Sequence, residues 1–356
     1  MRASSVARLT LLISAFFVLG CSTSAQPLAP IENPNLHKVA SAYPDFSGHI
    51  LVANETSIVF NKVYGKSQSG AEIAYHERWR WASVTKQIVA IAVMQLIEEG
   101  HLSLSSKVAD VLPTAGVPNA EKISIRDLLQ HTSGLANDAD LPDESFINGF
   151  DARSYCRGAA KRDPGEAFEY NNCDYIILGQ IIEAVDNVPW FESLDKRIFS
   201  PLGAESIRSG SKNNGGETVL GFASHDTPAP GVALELYEAS GGLVGVVGDL
   251  LKIDRALLAG ALLQNESRAE MWRSNPAYGF AALGQWVFPG ELRGCDAPVT
   301  IVERRGAISG IQVLNILIPE RRLSVISFVN RDDFDWGAVW ARHGFAYDLL
   351  SAAICN

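Results

Sequence analysis

The feature that most constrains the fold is an apolar segment that begins directly after a serine and a lysine, Ser83 and Lys86. Residues 84–99 carry apolar side chains on nearly every face of a predicted helix, whereas a surface helix has one apolar stripe. A helix of this kind must be buried. The 356 residues of the chain are enough for one large domain, or two lobes, with a sizeable core. The segment predicts a buried helix that ends at Gly100.

The spacing Ser-x-x-Lys does not identify a site by itself, because the chain contains it more than once. It occurs as Ser83/Lys86, Ser193/Lys196 and Ser209/Lys212. The last pair lies in a Gly/Asn-rich loop, which cannot hold two side chains in register. The middle pair lies on a helix whose neighbouring charges mark a solvated face. Only the first pair opens a buried helix, where positions i and i+3 share one face.

The lysine of this pair stands in the first turn of a helix that is otherwise apolar. Desolvation and the positive end of the helix dipole both lower the pKa of Lys86 and favour its neutral amine. A neutral amine beside the Ser83 hydroxyl is a general base beside a nucleophile. The alternative interpretation is a serine that caps the helix and a lysine that extends its amine into solvent.

Two later segments carry groups that suit the same chemistry. Tyr170 and Asn172 form the one Tyr-x-Asn of the chain, between a Pro-Gly turn and a predicted helix. Residues 303–310 join the end of one predicted strand to the start of the next, and glycine there lets a ligand approach backbone N–H groups that can hold an oxyanion. The alternatives are a structural tyrosine and a plain β-turn with exposed arginines.

The order of strands and helices predicts two lobes. The predicted strands are 47–54, 57–64, 298–305, 310–318 and 322–330, the later helices include 249–259 and 336–354, and 211–217 is a loop. This order indicates an α/β lobe, residues 41–105 and 232–356, interrupted by a helical lobe, residues 106–231.

Residues 1–20 have the features of an export signal. Two arginines precede a short apolar stretch, which is too short to span a bilayer comfortably. The stretch ends in Val-Leu-Gly-Cys at Cys21, which resembles the lipobox of bacterial lipoproteins. A simple signal peptide with an accidental cysteine is the alternative.

The lipobox interpretation places the mature protein at a membrane surface. Cys21 then carries lipid, and residues 21–40 form a proline-containing tether rather than a membrane span. We expect an exported lipoprotein on the periplasmic side of a membrane. By resemblance, Ser22 in place of an acidic residue favours the outer membrane.

Four further cysteines, Cys156, Cys173, Cys295 and Cys355, are an even number in an exported chain and indicate two disulfides. Three pairings are possible. We favour Cys156–Cys173 with Cys295–Cys355, because the first pair flanks a single loop-rich stretch. Metal binding is less favoured, since no CxxC or HxxxH spacing accompanies these cysteines.

The net charge of the chain and the absence of several catalytic and nucleotide-binding motifs from its sequence exclude some classes of function. The net charge of −10 argues against a nucleic-acid partner. The chain lacks a G-x-S-x-G elbow, an H-E-x-x-H motif, a G-x-G-x-x-G loop and a P-loop. We therefore expect an enzyme without metal or nucleotide cofactor.

Taken in this order, the three motifs resemble those of the serine β-lactamase and penicillin-binding-protein superfamily. The chain is most similar to class C β-lactamase-related serine hydrolases, over about residues 40–350. The segments that carry the resemblance are SVTKQ (83–87), ISIRDLLQHTSGL (123–135), PGEAFEYNNCDYIILGQIIE (164–183), IFSPLG (198–203), ASGGLVGVVGDLLKI (239–253) and RRGAISG (304–310). The resemblance implies a β-lactamase/transpeptidase-like fold, an antiparallel sheet flanked by helices with an inserted helical lobe.

The resemblance also implies roles for single residues. By motif, Ser83 is the acylated nucleophile and Lys86 is the base that takes its proton. Tyr170 is the tyrosine that shuttles protons, and Asn172 orients Lys86 or a substrate amide. The N–H groups of Ser83 and Ala307, beside Gly306, form the oxyanion hole. The substrate is then a small molecule or a peptidoglycan-derived compound: a β-lactam, a D-amino-acid peptide or a carboxylic ester.

The third motif departs from the family pattern. Relatives have Lys-Thr-Gly or His-x-Gly, and this chain has Arg304-Arg305-Gly306. Arg304 keeps a positive charge that can bind a substrate carboxylate through two hydrogen bonds. A guanidinium that is always protonated does not exchange protons, which argues against efficient β-lactam turnover. Arg305 is expected to face away from the cleft, because alternate residues of a strand face opposite sides.

A second hypothesis follows from the same arginine: a catalytically inactive module that binds peptidoglycan or a protein partner. Retention of Ser83, Lys86 and Tyr170 together favours the enzyme. His131, in QHTSGL, is interpreted as a structural histidine in a turn before Gly134.

Overall fold

The computed structural model describes residues 28–137, 151–210 and 218–355. Its helices are α1 (Pro34–Ser41), α2 (Val84–Glu98), α3 (Val108–Val111), α4 (Ile125–Leu129), α5 (Ala152–Tyr155), α6 (Asn172–Asp186), α7 (Trp190–Leu194), α8 (Glu238–Gly241), α9 (Val247–Ala259), α10 (Asn265–Met271) and α11 (Phe345–Ile354). Its strands are β1 (Gly48–Ala53), β2 (Ile58–Tyr64), β3 (Trp79–Arg80), β4 (Arg208–Ser209), β5 (Phe222–Ser224), β6 (Thr227–Pro228), β7 (Leu243–Gly245), β8 (Trp286–Gly290), β9 (Val299–Ile308), β10 (Ile311–Ile318) and β11 (Leu323–Val329).

The main sheet has six antiparallel strands in the order β2-β1-β11-β10-β9-β8. One apolar core lies between this sheet and the helices α2 and α9, and a second lies between the opposite face and the helices α1 and α11. The predicted antiparallel sheet flanked by helices is confirmed. Strand β8 is missing from the sequence prediction, because it is a short edge strand that contains Pro289.

The buried helix predicted from the apolar segment is α2. Its residues from Val84 to Met94 are all buried, including the polar Thr85, Lys86 and Gln87. Helices α6, α8 and α10 and strand β9 surround it. The start of α2 is therefore held between the helical part of the chain and the sheet.

The C-terminal helix begins later than the sequence predicts. It covers Phe345–Ile354, whereas apolar spacing suggested residues 336–354. Gly337 and Gly344 have φ angles of +67° and +90°, outside the helical region, and their backbones lie against each other. The chain therefore makes a turn there before the helix starts.

The predicted tether over residues 21–40 is wrong for its C-terminal part. Asn33 caps α1 and Pro34 stands in its first turn, so this proline starts a helix instead of extending a linker. Leu36 is fully buried in the core below α11, and the side chain of Asn61 donates to the backbone carbonyl of Ala29 at 2.8 Å. Cys21, the export signal and the loop predicted over 211–217 lie outside the described residues.

Two disulfides join Cys156 to Cys173 and Cys295 to Cys355, the pairing that the sequence favours. The first fixes the start of α6, and the second ties the segment after β8 to the end of α11. Within the described ranges, no helix is both long and apolar enough to cross a membrane.

Candidate active site

Ser83 occupies the N-cap position of α2 but does not act as a capping residue. Its side chain accepts no capping hydrogen bond from the backbone N–H groups of the first turn. Instead its Oγ lies 3.2 Å from Lys86 Nζ and 2.6 Å from Tyr170 Oη. The preceding Ala82 has a φ of +46°, an unfavourable angle for alanine of the kind that concentrates at functional sites. The Ser83 hydroxyl is therefore free for chemistry rather than used for helix capping.

Lys86 does not extend to solvent, since its exposed fraction is 0%. Its Nζ contacts Ser83 Oγ, Asn172 Oδ1 at 2.6 Å and the backbone carbonyl of Ser240 at 2.7 Å. A neutral amine has two hydrogens and one lone pair. When Asn172 and Ser240 accept the two hydrogens, the lone pair faces the Ser83 hydroxyl, which is the geometry a general base needs.

Tyr170 connects Ser83 to the third motif. Its hydroxyl donates to Ser83 Oγ and accepts from Arg304 Nη2 at 2.7 Å. Burial has the largest single effect on the pKa of Tyr170 and raises it. The charges of Arg304 and of Lys86 in its protonated form, together with hydrogen bonds to Lys86 and Ser83, lower the pKa below its ordinary value. The site thus favours the ionised tyrosine more than water does.

Arg304 has internal partners. Its Nε donates to the Ser83 carbonyl at 2.7 Å, its Nη2 donates to Tyr170, and only 1% of the residue is exposed. Its guanidinium lies 5.2 Å from the ring centres of both Tyr170 and Trp286. Nε and Nη2 of Arg304 thus bind within the protein, and the binding of a substrate carboxylate by Arg304 stays a prediction.

Arg305 is directed to a different set of partners. Its Nε binds Glu303 Oε1 at 2.7 Å and its Nη1 donates to the carbonyl of Gly337 at 3.2 Å. Burial raises the pKa of Glu303, and Arg305 opposes that effect. Arg304 alone of the two arginines hydrogen-bonds to Ser83 and Tyr170. The prediction that Arg305 faces away from the cleft is wrong in part, because Arg305 also lines the cavity beside Tyr170.

Gly306 and Ala307 bring β9 against the start of α2. A Cβ atom on Gly306 would lie 2.8 Å from Trp81 O and 2.9 Å from Ser83 N, so this position has room for glycine only. Ala307 follows it and is exposed. This close approach is compatible with an oxyanion hole formed by the N–H groups of Ser83 and Ala307, whose roles remain predictions.

His131 packs against the ring of Tyr170. Its ring centre lies 4.7 Å from that of Tyr170, and its Nδ1 lies 3.0 Å from Asp174 Oδ2 and accepts from Asn171 N–H at 3.2 Å. Burial, followed by the charges of Arg304 and Lys86, lowers the pKa of His131 well below its ordinary value. These contacts agree with the structural role assigned to this histidine.

Three contributors to the site were not predicted from sequence. Ser240 acts through its backbone carbonyl, which has no residue-specific signature, although residues 239–253 carry part of the family resemblance. Trp286 and Asp174 are reached only through tertiary contacts. In the part of the chain that the structure describes, no group of three or more His, Cys, Asp or Glu side chains could hold a metal ion.

A cavity of about 710 Å³ adjoins Tyr170 and Arg304. Its lining is largely aromatic, with Trp286, Phe280, Phe288 and Trp340 around the mouth and walls. This volume is typical of a small-molecule site. The cavity lies beside the catalytic groups and is large enough for part of a substrate.

Comparisons with known proteins agree with the geometry. A model of the Beta-lactamase family matches residues 38–346. A candidate penicillin-binding protein of Bacillus subtilis, PbpX, is 28% identical over 306 residues, which is 80% of this chain and 71% of that protein. Among solved structures, a penicillin binding protein from Bacillus halodurans has a TM-score of 0.72 at 24% identity, over 90% of this chain and 98% of the other. D-amino acid amidase from Ochrobactrum anthropi has a TM-score of 0.73 at 20% identity, over 89% of this chain and 97% of the amidase.

Proposed function

This chain belongs to the Beta-lactamase family, and from that premise we propose that it is a serine hydrolase that cleaves an ester or amide through an acyl-enzyme on Ser83. The observation that carries the proposal is the position of Ser83 Oγ, 2.6 Å from Tyr170 Oη and 3.2 Å from Lys86 Nζ. A serine beside two groups that can accept its proton is an activated nucleophile.

The acylation step follows from these contacts. When Lys86 is protonated and Tyr170 is ionised, the Ser83 proton passes to Tyr170 as Oγ attacks the carbonyl carbon of the substrate. When Lys86 is neutral and Tyr170 is protonated, Lys86 takes the Ser83 proton and later returns one to Tyr170, after the tyrosine has protonated the leaving group. The N–H groups of Ser83 and Ala307 stabilise the oxyanion. The C–O or C–N bond then breaks, and the leaving alcohol or amine takes a proton from Tyr170.

The deacylation step reverses these roles. Water attacks the acyl carbon and gives its proton to the same base, the bond to Ser83 Oγ breaks, and Ser83 recovers a proton. Arg304 stays protonated throughout and holds the Tyr170 oxygen and the Ser83 carbonyl in position.

A substrate panel tests this function. We expect hydrolysis of at least one substrate among p-nitrophenyl esters, D-amino-acid amides, D-Ala-D-Ala peptides and nitrocefin, with loss of about 10³-fold or more in kcat for Ser83→Ala. Ser209→Ala, which changes the serine of another Ser-x-x-Lys, is the matched control and should retain full activity. A folded protein that hydrolyses none of them would contradict the enzyme and favour the inactive binding module.

We also propose that the mature protein is an exported lipoprotein anchored through Cys21, on the periplasmic side of a membrane. The support is the sequence Val-Leu-Gly-Cys at the end of a short apolar stretch. Cys21→Ser should move the protein from the membrane fraction to the soluble fraction of an expressing bacterium. An unchanged distribution would contradict the anchor.

A further inference from the structure

The aromatic cavity beside Tyr170 has no role in the chemistry described so far. We propose that it binds the leaving group of the substrate, and that this group is an uncharged aromatic alcohol or amine. The inference rests on the proposed function, since it concerns the substrate of that same site.

The position of the cavity relates it to the leaving group. Tyr170 and Arg304 line it, and Tyr170 Oη is the atom next to the nucleophile. A departing alcohol or amine needs a proton at the moment its bond breaks, and in the proposed mechanism Tyr170 supplies it. The leaving group must therefore lie against Tyr170, and Tyr170 lines the cavity.

The lining predicts an aromatic occupant. In the described ranges, Phe280 and Trp340 are the two large apolar side chains that stand exposed, at 37% and 64%, and both line this cavity. Trp286 forms the inner wall, with its ring centre 6.1 Å from that of Tyr170. Large exposed apolar side chains that converge on one concavity indicate a ligand that removes them from water. An aromatic ring would gain both burial and ring contacts there.

The charges around the cavity disfavour a carboxylate on that group. Two nitrogens of Arg304 are already hydrogen-bonded to the Ser83 carbonyl and to Tyr170. The second arginine of the lining, Arg305, is paired with Glu303. A carboxylate entering the cavity could pair with Arg304 Nη1 but would lie near the Glu303 carboxylate, whereas an uncharged ring needs no such pairing.

Three acetate esters test the proposal. Ethyl acetate and 2-phenylethyl acetate share an acyl group and have alcohols of similar acidity. The third ester is 2-phenylethyl acetate with a carboxylate in the para position of its phenyl ring. We expect kcat/KM for the phenylethyl ester to exceed that for the ethyl ester by roughly tenfold or more. The carboxylated ester should lose most of that gain.

Variants locate the effect. Phe280→Ala and Trp340→Ala change the two exposed aromatic side chains of the lining. Both should reduce the preference for the phenylethyl ester while leaving the ethyl ester less affected. Phe191→Ala, an aromatic change in α7 away from the cavity lining, is the control and should keep the preference. Equal kcat/KM for the two uncharged esters, or a preference that survives both cavity variants, would overturn the proposal while leaving the serine hydrolase intact.

A binding measurement separates this proposal from the function it rests on. Ser83→Ala should bind 2-phenylethyl acetate saturably, as read from tryptophan fluorescence, and the double variant with Phe280→Ala should bind it more weakly. This result would support the cavity assignment even if no ester were hydrolysed. No saturable binding by folded Ser83→Ala would overturn it.

Discussion

At the scale of single residues, the arginine of the third motif, Arg304, is the residue that distinguishes this site from the family pattern. Arg304 donates to Tyr170 Oη and to the Ser83 carbonyl, so one fixed positive charge contacts both the proposed proton shuttle and the backbone of the nucleophile. In water a tyrosine is almost wholly protonated at neutral pH. The arrangement explains how this tyrosine can act as a base without a titrating partner in the third motif.

Removing the charge of Arg304 should shift the pH dependence of the reaction. The Arg304 charge lowers the pKa of Tyr170, so Arg304→Gln should raise that pKa and move the acidic limb of kcat/KM to higher pH. At neutral pH we expect a loss of roughly 10- to 100-fold. Steady-state kinetics across pH measures both effects.

Arg304→Lys is the matched variant for this prediction, because it keeps the charge and loses the planar arrangement of donors. Its acidic limb should stay closer to that of the unchanged protein. An identical limb in Arg304→Gln would contradict the role of Tyr170 as the base.

The sequence predicts the chemical groups at this scale better than their contacts. Ser83, Lys86 and Tyr170 are identifiable because burial of a lysine and the order of three motifs restrict the alternatives. The orientation of Arg304 is not identifiable, since a long side chain on a strand can reach either substrate or protein. The carbonyl of Ser240 is also missed, because any residue type supplies one.

At the scale of secondary-structure elements, the site is the meeting point of α2, α6 and β9. The helix α2 supplies Ser83 and Lys86, the start of α6 supplies Asn172, and β9 passes so close that Gly306 faces Ser83 N. Hydrophobic periodicity locates α2 and the central strands well. It overextends the C-terminal helix and misses β8, because glycine turns and edge strands are decided by tertiary contacts rather than by local pattern.

The disulfide at the start of α6 should matter for catalysis as well as stability. Cys173 follows Asn172, which holds Lys86 Nζ, so loss of the bond to Cys156 should loosen this contact. The double variant Cys156→Ser/Cys173→Ser removes a crosslink between positions 17 residues apart. Its free energy of unfolding should therefore fall by about 3 kcal/mol. We also expect a lower kcat, measured below the unfolding temperature.

The second disulfide provides the control. Cys295→Ser/Cys355→Ser removes a crosslink over 60 residues and should lose about 4 kcal/mol. This bond joins the segment after β8 to the end of α11, and these elements supply neither Ser83 nor Lys86. The kcat of the folded variant should therefore stay near that of the unchanged protein. Equal losses of kcat in both double variants would mean that the first bond has no specific role at the site.

At the scale of the whole molecule, a buried polar cluster joins the elements behind the site. Asn315 in β10 donates to Gln87 of α2 at 3.2 Å and to Asp254 of α9 at 3.0 Å. Burial raises the pKa of Asp254 to about 8, although the hydrogen bond from Asn315 opposes it. The folded protein therefore keeps a proton on Asp254 that the unfolded chain releases.

This proton makes the stability of the molecule depend on pH. Between the ordinary pKa of 3.8 and about 8, the folded state binds one proton more than the unfolded state at Asp254, so its contribution to the free energy of unfolding falls as pH rises. The slope is at most about 1.4 kcal/mol per pH unit. Asp254→Asn should remove this slope. The free energy of unfolding of the variant should therefore rise relative to that of the unchanged protein from pH 5 to pH 8.

Urea unfolding at several pH values measures the difference. Asp226→Asn, at a side chain that is 93% exposed, is the control and should leave the pH dependence almost unchanged. Parallel curves for the unchanged protein and Asp254→Asn would contradict a buried, protonated carboxyl.

Ser83 is proposed to carry the acyl group, and mass spectrometry of the intact protein tests this assignment. After reaction with a fluorophosphonate or with a p-nitrophenyl ester quenched in acid, we predict one adduct per chain, on the peptide that contains Ser83, and none in folded Ser83→Ala. An adduct that persists in Ser83→Ala, or that maps to another residue in a protein that turns over the ester, would contradict the account.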